Sequence, residues 1–217
     1  MTYENPYMNG QTWPELNILE TLRQRNPLVI CITNDVVRTF TANGLLAIGA
    51  SPVMSECSED LKDLIVHASA LLINIGTLTP DKVSYYKEAI ALAKKHEVPI
   101  VLDPVGCHAG AYRLSVVLDL IKTGEISLVR GNQSEIKAIY DALSPNTQAD
   151  TSTTGKGVDG GQIEDSAVIA YRLARLINCP VVATGEEDYV SDGTRVFAVP
   201  HGHPIMTAVT GTGCLLG

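Results

Sequence analysis

The apolar runs of this chain are short and nearly continuous, which is typical of strands buried on both faces of a parallel sheet. They predict strands at residues 28–32, 51–54, 70–75, 100–102, 126–129 and 181–183. The segments between them carry apolar residues three or four positions apart, as amphipathic helices do. They predict helices at residues 14–25, 36–48, 58–68, 79–96, 114–121, 132–142 and 165–177.

Two segments depart from this alternation. Residues 189–190 and 195–199, joined through Asp192-Gly193, predict a β-hairpin, and the polar residues 144–161 predict a solvated loop. The repeated strand–helix order elsewhere predicts an α/β fold with a mainly parallel central sheet and helices on both faces. Because no internal repeat or linker interrupts this order, we expect one domain over residues 1–217.

Composition narrows the class of protein. A chain of 217 residues with 45% hydrophobic residues is long enough to bury a sizeable core. Its net charge of -8 argues against nucleic acid or an anionic membrane as the main partner. We recognise no signal peptide or membrane-spanning segment, and the five cysteines lack CxxC spacing. We therefore expect a soluble cytoplasmic protein with reduced thiols.

Polar residues follow several of the predicted strands. Ligands of parallel sheets bind beyond the carboxyl ends of the strands, so these residues are the first candidates for a site. Asp103 can hold Mg²⁺ directly or through water, or it can cap the turn before Pro104. Arg130 is either held by an anionic partner or is an ordinary surface arginine.

The other strand ends offer candidates with equally simple alternatives. Asn132 and Glu135 have the spacing of a helix capping box, and the same carboxylate can also face a metal ion. Thr184 and Gly185 can contact a phosphate or form an ordinary strand exit. Met54 is either a core residue or part of the wall of an apolar pocket.

The turn Gly211-Thr212-Gly213-Cys214 is the most informative feature of the chain. Two glycines around a threonine, followed by apolar residues, predict a turn that leads into a helix. The unpaired backbone N–H groups of such a turn can converge on an anion such as phosphate. Because the sequence stops at Gly217, we expect this helix to be barely formed.

Three other motifs carry little weight. Gly155-Lys156-Gly157 lacks the upstream glycine and the following Ser or Thr of a P-loop. The glycines of residues 211–217 only partly match a dinucleotide fingerprint, and no sheet follows them, so a dehydrogenase is the least expected class. His201 and His203 have no third metal ligand at a suitable spacing and are most simply loop histidines.

A series of motifs keeps its order from Asn26 to the end of the chain. They are CITN (31–34), TANGLLAIGASPVM (41–54), NIGTL (74–78), LDPVG (102–106), RGNQSE (130–135), GHPIMT (202–207) and TGTGC (210–214). Together they closely resemble the hydroxyethylthiazole kinase family of the ribokinase-like superfamily. Related kinases usually carry Asp at the position of Cys214, and this difference separates the thiazole kinase branch.

The resemblance implies a three-layer ribokinase-like fold and an ATP- and Mg²⁺-dependent kinase. Its substrate would be the hydroxyl of 4-methyl-5-(2-hydroxyethyl)thiazole, in thiamine biosynthesis or salvage. The family pattern also implies a homotrimer with sites between subunits, so that Met54 can serve the pocket of a neighbouring chain. The functional residues that it implies are Met54, Gly211 and Asn34 for the thiazole, Arg130 and Thr184 for ATP, Asp103 and Glu135 for Mg²⁺, and Cys214, Gly211 and Gly213 for catalysis.

Cys214 would occupy the position of the catalytic base, although a thiol is a poor base. Placement at a helix N-terminus is expected to lower its pKa and to give it partial thiolate character. Phosphoryl transfer through a loose transition state needs positioning and charge neutralisation more than a strong base. A thiol at this position is therefore compatible with the implied reaction.

Two rival interpretations remain beside this one. Members of the family continue beyond this cysteine with further helices, so we expect the C-terminal helices of the fold to be missing. The first rival is therefore a catalytically impaired remnant that binds thiazole or a partner subunit. The second is a sister kinase acting on a hydroxymethylpyrimidine or a pyridoxal-like alcohol, against which Cys214 and residues 50–54 speak.

Overall fold

The computed structural model describes residues 18–144, 166–200 and 202–216. The helices are α1 (Ile18–Arg25), α2 (Arg38–Ile48), α3 (Ser58–Leu64), α4 (Pro80–Lys95), α5 (Ala111–Ile121), α6 (Gln133–Leu143) and α7 (Ser166–Ile177). The strands are β1 (Leu28–Ile32), β2 (Ser51–Met54), β3 (Ala70–Asn74), β4 (Ile100–Asp103), β5 (Leu128–Asn132), β6 (Val181–Thr184), β7 (Asp188–Ser191) and β8 (Val196–Val199). Among these residues, none of the helices is long and apolar enough to cross a membrane.

The strands form one 8-stranded sheet with the order β2-β1-β3-β4-β5-β6-β7-β8. Strands β1 to β6 run parallel, and β7 and β8 add an antiparallel hairpin at one edge. From β1 the chain moves first outward to β2 and then back across to β3. The order therefore reverses between β1 and β3, and in open α/β sheets such a reversal opens a crevice for a ligand.

Helices cover the sheet on both faces. Right-handed crossovers place α2 on one face and the helices that lead towards β3 to β6 on the other. In agreement with this, α3 to α7 contact one another in sequence order, whereas α1 contacts α2. The core between this longer helical layer and the sheet contains fully buried Tyr86, Leu102, Leu120 and Ile136. The predicted α/β fold with a mainly parallel sheet is confirmed.

Most predicted elements occur within a few residues of their expected bounds, and the exceptions lie at their ends. The strand expected at 126–129 is β5, which begins later and includes Arg130, Gly131 and Asn132. The helix expected at 58–68 ends at Leu64 and continues as the short 3-10 turn Ile65–His67. Residues 14–17, most of the loop expected at 144–161, Gly155-Lys156-Gly157 and His201 lie outside the described residues.

Candidate active site at the carboxyl edge of the sheet

Parallel pairing brings polar side chains of neighbouring strands together at the carboxyl edge. Asn74 ends β3 and lies opposite Asp103 of β4 in the register. The Asn74 side-chain amide donates from Nδ2 to Asp103 Oδ2 at 2.7 Å. On its other side, Asn74 Oδ1 accepts from Asn34 Nδ2, just after β1, at 2.9 Å. A hydrogen-bonded chain thus starts at the point where the strand order reverses.

The chain of polar contacts continues beyond Asp103 into β5 and β6. Arg130 Nη1 lies 3.5 Å from Asp103 Oδ2, with both side chains almost fully buried. Arg130 Nη2 donates to Thr184 Oγ1 at 3.1 Å, and the Thr184 hydroxyl donates to the carbonyl of Gly131. Arg130 is therefore held by an anionic partner inside the protein, and the alternative of a surface arginine is wrong.

Asp103 has one occupied and one free oxygen. Oδ2 receives the Asn74 amide and faces Arg130, whereas buried Oδ1 has no hydrogen-bond partner among the described residues. Burial raises the pKa of Asp103 to about 7, while the charge of Arg130 opposes this rise. Arg130 Nε is likewise buried and unpaired within that part of the chain. Such unsatisfied buried atoms are rare and mark a place where a ligand can bind.

Both carboxylate oxygens of Glu135 accept from backbone N–H groups. Its Oε2 accepts from the backbone N–H of Asn132 at 2.7 Å, while Asn132 Oδ1 accepts from the N–H of Glu135 at 2.9 Å. This reciprocal pair is the predicted capping box. Oε1 accepts from the N–H of Gly106, which follows β4, at 2.8 Å. Glu135 therefore ties the loop after β4 to the start of α6, and each oxygen retains a lone pair that can accept from a bound water.

The turn of residues 211–214 lies over this edge. A Cβ built on Gly213 would lie 3.9 Å from Arg130 Nη2, and one built on Gly211 would lie 2.7 Å from Val37 Cγ1. Gly211 has a φ of +91, a conformation that disfavours any other residue. Within the described part of the chain, the backbone N–H groups of Gly211, Gly213 and Cys214 have no hydrogen-bond partner. The turn therefore offers free donors beside Arg130, as an anion site requires.

Cys214 begins the 3-10 turn Cys214–Leu216, and its sulfur lies 3.6 Å from Asn34 Nδ2. Burial raises the pKa of this thiol, and the negative charge of Asp103 raises it further. Hydrogen bonds from Asn74 and Asn34 and the charge of Arg130 oppose the rise without cancelling it. The expectation of a lowered pKa is therefore wrong, because burial beside a carboxylate outweighs the start of a helical turn.

Two predicted residues stand apart from this cluster. Met54 ends the edge strand β2 and is half-buried, and its register partner is Cys31 of β1. It shares the carboxyl edge with the other candidates, although the described contacts do not join it to them. His203 accepts from the N–H of Ile205 through Nδ1 at 3.2 Å, in agreement with an ordinary loop histidine.

Sequence reasoning missed three residues that shape the site. Asn74 was part of a motif, but its amide gave no sign that it would meet Asp103. Arg113 of α5 donates to the carbonyls of Ile75, Gly76 and Val105, at 2.9, 2.9 and 3.1 Å, and so holds the loops after β3 and β4. Gly76 leaves room for Asn34, since a Cβ there would lie 2.7 Å from Asn34 Cβ. Only the adjacency of the strands explains these roles.

Beside Gln133, the first residue of α6, a cavity of about 500 Å³ opens on the hairpin side of the edge. Gln133 at the start of α6 forms one wall, and Glu186, Glu187 and Tyr189 form the other. Such a volume is within the range of small-molecule sites, which is about 300–1,000 Å³. Because Gln133 directly follows β5, the cavity lies towards the strand that carries Arg130, whereas Asn34 and Asn74 lie towards β1 and β3.

The carboxylate oxygens at this edge are suitable ligands for a hard cation such as Mg²⁺, which keeps most of its water molecules when it binds to a protein. No group of three or more His, Cys, Asp and Glu side chains is arranged to hold a metal within the described ranges. Mg²⁺ does not need such a cage, because it is usually bound through one or two carboxylates together with substrate phosphates. Of the four carboxylate oxygens of Asp103 and Glu135, only Oδ1 of Asp103 has no hydrogen-bond partner within the described residues.

Comparisons with known proteins agree with this geometry. The model of the hydroxyethylthiazole kinase family matches residues 19–217. The hydroxyethylthiazole kinase of Streptococcus agalactiae serotype III is 52% identical over 199 residues, which are 92% of this chain and 74% of that protein. The chain belongs to the hydroxyethylthiazole kinase family. The predicted family and thiazole kinase function are confirmed, and the alternative of a non-catalytic remnant is not favoured.

Solved structures support the same assignment. The hydroxyethylthiazole kinase protein from Pyrococcus horikoshii OT3 superposes with a TM-score of 0.81 and 39% identity, over 93% of this chain and 72% of that one. Pyridoxal kinase of Bacillus subtilis superposes with a TM-score of 0.60 at 12% identity, over 87% of this chain and 79% of that one. The second likeness shows a shared ribokinase-like fold alone and gives no support to a sister kinase.

The raised pKa of Asp103 predicts how stability changes with pH. A carboxyl with a folded-state pKa of about 7 and an ordinary value of 3.8 binds its proton more tightly in the folded state. The free energy of unfolding should therefore fall as pH rises between these values, and it should fall less in Asp103→Asn. A difference of one unit between the pKa values in the folded and unfolded states already changes the free energy of unfolding by about 1.4 kcal/mol.

Urea unfolding of the wild type and of Asp103→Asn in EDTA, at intervals from pH 4 to 8, measures how the free energy of unfolding of each protein changes with pH. Asp63→Asn, which removes an exposed carboxylate of α3, is the matched control and should follow the wild type. Parallel pH curves for the wild type and Asp103→Asn would contradict the buried, proton-binding carboxyl described above.

Proposed function

We propose that this chain transfers the γ-phosphoryl group of ATP to the hydroxyl of 4-methyl-5-(2-hydroxyethyl)thiazole. The observation that carries the proposal is the pairing of a free buried carboxylate oxygen with a turn of free N–H donors at one edge. These opposite groups complement a cation and a phosphate in the same place. Family membership and the position at the reversal of strand order support it.

We assign the nucleotide to the Arg130 end of the polar chain. The guanidinium keeps a buried, unpaired Nε, and Thr184 lies within hydrogen-bond distance of Nη2. The cavity beside Gln133 has room for more of the nucleotide. The N–H groups of Gly211, Gly213 and Cys214 would donate to the oxygens of the transferred phosphoryl group and so stabilise the charge that develops on it.

Mg²⁺ is assigned to Asp103, with Glu135 acting through a bound water. The free Oδ1 of Asp103 would be the direct ligand, because both oxygens of Glu135 already accept from backbone N–H groups. When bound, the cation supplies charge neutralisation between phosphate oxygens. Arg130 meanwhile keeps the Asp103 carboxylate oriented and compensates its charge before any ligand arrives.

The thiazole alcohol is assigned to the crevice at the asparagine end. Asn34 and Gly211 border it directly, and Met54 contributes apolar surface at the end of β2. Cys214 lies between Asn34 and Asp103, where the substrate hydroxyl must approach the phosphate. Because its thiol stays protonated at neutral pH, it positions the hydroxyl more than it removes a proton.

We also propose that the protein is a homotrimer in which Met54 contributes to the site of a neighbouring subunit. Each subunit would be a single domain over residues 1–217, and the protein would be located in the cytoplasm. The residues of edge strand β2 are only partly buried, and Phe40, Leu46 and Ile48 of the adjoining α2 are exposed. An apolar surface of this kind is typical of an interface. The uninterrupted sheet supports a single domain.

Sedimentation equilibrium tests the assembly. A trimer should give three times the chain mass of 23.2 kDa, and Leu46→Glu on the exposed face of α2 should reduce this mass. Glu88, which is on α4, can be changed to Gln as a control without affecting assembly. A chain that sediments as a monomer at all concentrations would contradict the trimer.

Incubation of the wild type with ATP, Mg²⁺ and the thiazole alcohol tests the reaction itself. Mass spectrometry should detect the phosphate ester, and omission of Mg²⁺ or replacement of Asp103 by Asn should abolish it. A folded chain that binds ATP and forms no ester with this alcohol would contradict the proposed function. Pyridoxal and a hydroxymethylpyrimidine serve as alternative alcohols in parallel reactions.

Cys214→Ser tests whether the thiol acts as a base. A base that is essential contributes about 10²- to 10⁴-fold to the rate, so a residue that only positions the substrate should cost less than about 100-fold. We therefore expect the variant to retain measurable turnover in a steady-state assay. Complete loss of turnover in a variant that still folds and binds ATP would show that the thiol is needed for proton removal.

A further inference from the structure

Asn74 lies beneath the proposed site and is fully buried at the end of β3. Because it is the register partner of Asp103 in the adjacent parallel strand, the two side chains meet on the same face of the sheet. The distance from Asn74 Nδ2 to Asp103 Oδ2 is 2.7 Å, a short hydrogen bond to a carboxyl group. A buried amide in this position stabilises one orientation of the carboxyl group.

The orientation of the Asn74 amide is itself fixed. Its Oδ1 accepts from the N–H of Gly76 at 3.0 Å and from Asn34 Nδ2 at 2.9 Å. Since both partners are donors, the oxygen must face them and the nitrogen must face Asp103. Asn34 is held in the same way, because its Oδ1 accepts from the N–H groups of Val36 and Val37. Neither amide can flip without leaving backbone donors unpaired.

This arrangement makes the oxygens of Asp103 inequivalent. Oδ2 is engaged by the amide, and Arg130 Nη1 lies 3.5 Å from the same atom, which is too long for a strong hydrogen bond. Oδ1 is buried and has no hydrogen-bond partner among the described residues. Without the amide, the longer contact with Arg130 and the weak interaction with the Cys214 thiol would remain to resist rotation of the carboxyl group.

We propose that Asn74 is a positioning residue that holds Asp103 so that Oδ1 faces the cation of the bound nucleotide. It touches neither the cation nor the substrate and acts through Asp103. Through Asn34, whose Nδ2 also lies 3.6 Å from Cys214 Sγ, the same pair of amides links the orientation of Asp103 to the catalytic turn. This inference rests on the proposed assignment of Asp103 to the metal.

Mn²⁺ binding and metal-free ATP binding together test the inference. Asn74→Leu keeps the size of the side chain and removes its donor and acceptor. Loss of such an outer partner usually weakens metal binding by about 10- to 100-fold. We expect the Kd for Mn²⁺, measured by electron paramagnetic resonance in the presence of ATP, to rise by about 10-fold. The Kd for ATP in EDTA should stay unchanged, because Arg130 and Thr184 remain in place.

Further variants separate positioning from damage to the fold. Asn74→Ala leaves room for a water that can donate to Asp103, so its loss of Mn²⁺ affinity should be smaller than that of Asn74→Leu. Ser191→Ala is the matched control, since Ser191 is fully buried and its hydroxyl donates to the carbonyl of Arg195 at 2.8 Å, away from the site. It should lower the free energy of unfolding and leave both binding constants unchanged.

Mn²⁺ affinity equal to that of the wild type in both Asn74 variants would overturn the inference. Equal losses of Mn²⁺ affinity and metal-free ATP affinity would also overturn it, because they indicate general damage. If Asn74→Leu does not fold, Asn74→Ala decides by the same readouts. Failure of the proposed function is recognised separately, as absence of ester formation by the wild type. Unchanged Mn²⁺ binding by Asp103→Asn would overturn the assignment of Asp103 to the metal and, with it, the inference about Asn74.

Discussion

The burial of Asp103 against Arg130 is the constraint on which the rest of the site depends. Two charges removed from water stabilise a protein only when their geometry is good and their remaining atoms are hydrogen-bonded. The parallel sheet supplies these partners, because neighbouring strands end at one edge and in register. The order β1-β3-β4-β5-β6 therefore places Asn74 where it donates to the Asp103 carboxylate and Thr184 where it accepts from the Arg130 guanidinium. A different strand order with the same local sequence would leave the pair unsupported.

The sequence was sufficient for the properties that depend on neighbours along the chain. The strand and helix order, the hairpin and the capping box at Asn132 all follow from local patterns, and the strand-end rule pointed to Asp103 and Arg130. Strand adjacency is a property of the whole fold, so the contact between Asn74 and Asp103 could not be predicted from either segment. The pKa of Cys214 was predicted in the wrong direction for the same reason. Its burial and its carboxylate neighbour come from the folding of distant segments, whereas the helical turn that suggested a lower pKa is local.

The atoms that remain unpaired at this edge have a chemical pattern. Asp103 Oδ1 is an acceptor, whereas Arg130 Nε and the N–H groups of the turn at Gly211–Cys214 are donors. Asp103 Oδ1 and Arg130 Nε are buried, and each of them costs stability, since it has lost its hydration without gaining a partner. An acceptor for a cation beside several donors for an anion is the complement of a metal–nucleotide complex. The ligands proposed above would satisfy these atoms together and so offset the stability that they cost.

Most of the groups around the site are already fixed by hydrogen bonds within the protein, before any ligand binds. Asn34 and Asn74 are locked by backbone donors, Glu135 is locked by the capping box and Gly106, and Arg113 holds the loops between them. Such preorganised dipoles need no rearrangement when charge develops on the transferred phosphoryl group, which is where electrostatic catalysis gains its advantage over water. In the proposed reaction, a weakly basic thiol at position 214 would then be sufficient. In a loose transition state the attacking hydroxyl loses its proton late, so the barrier depends on how well the surrounding groups are held.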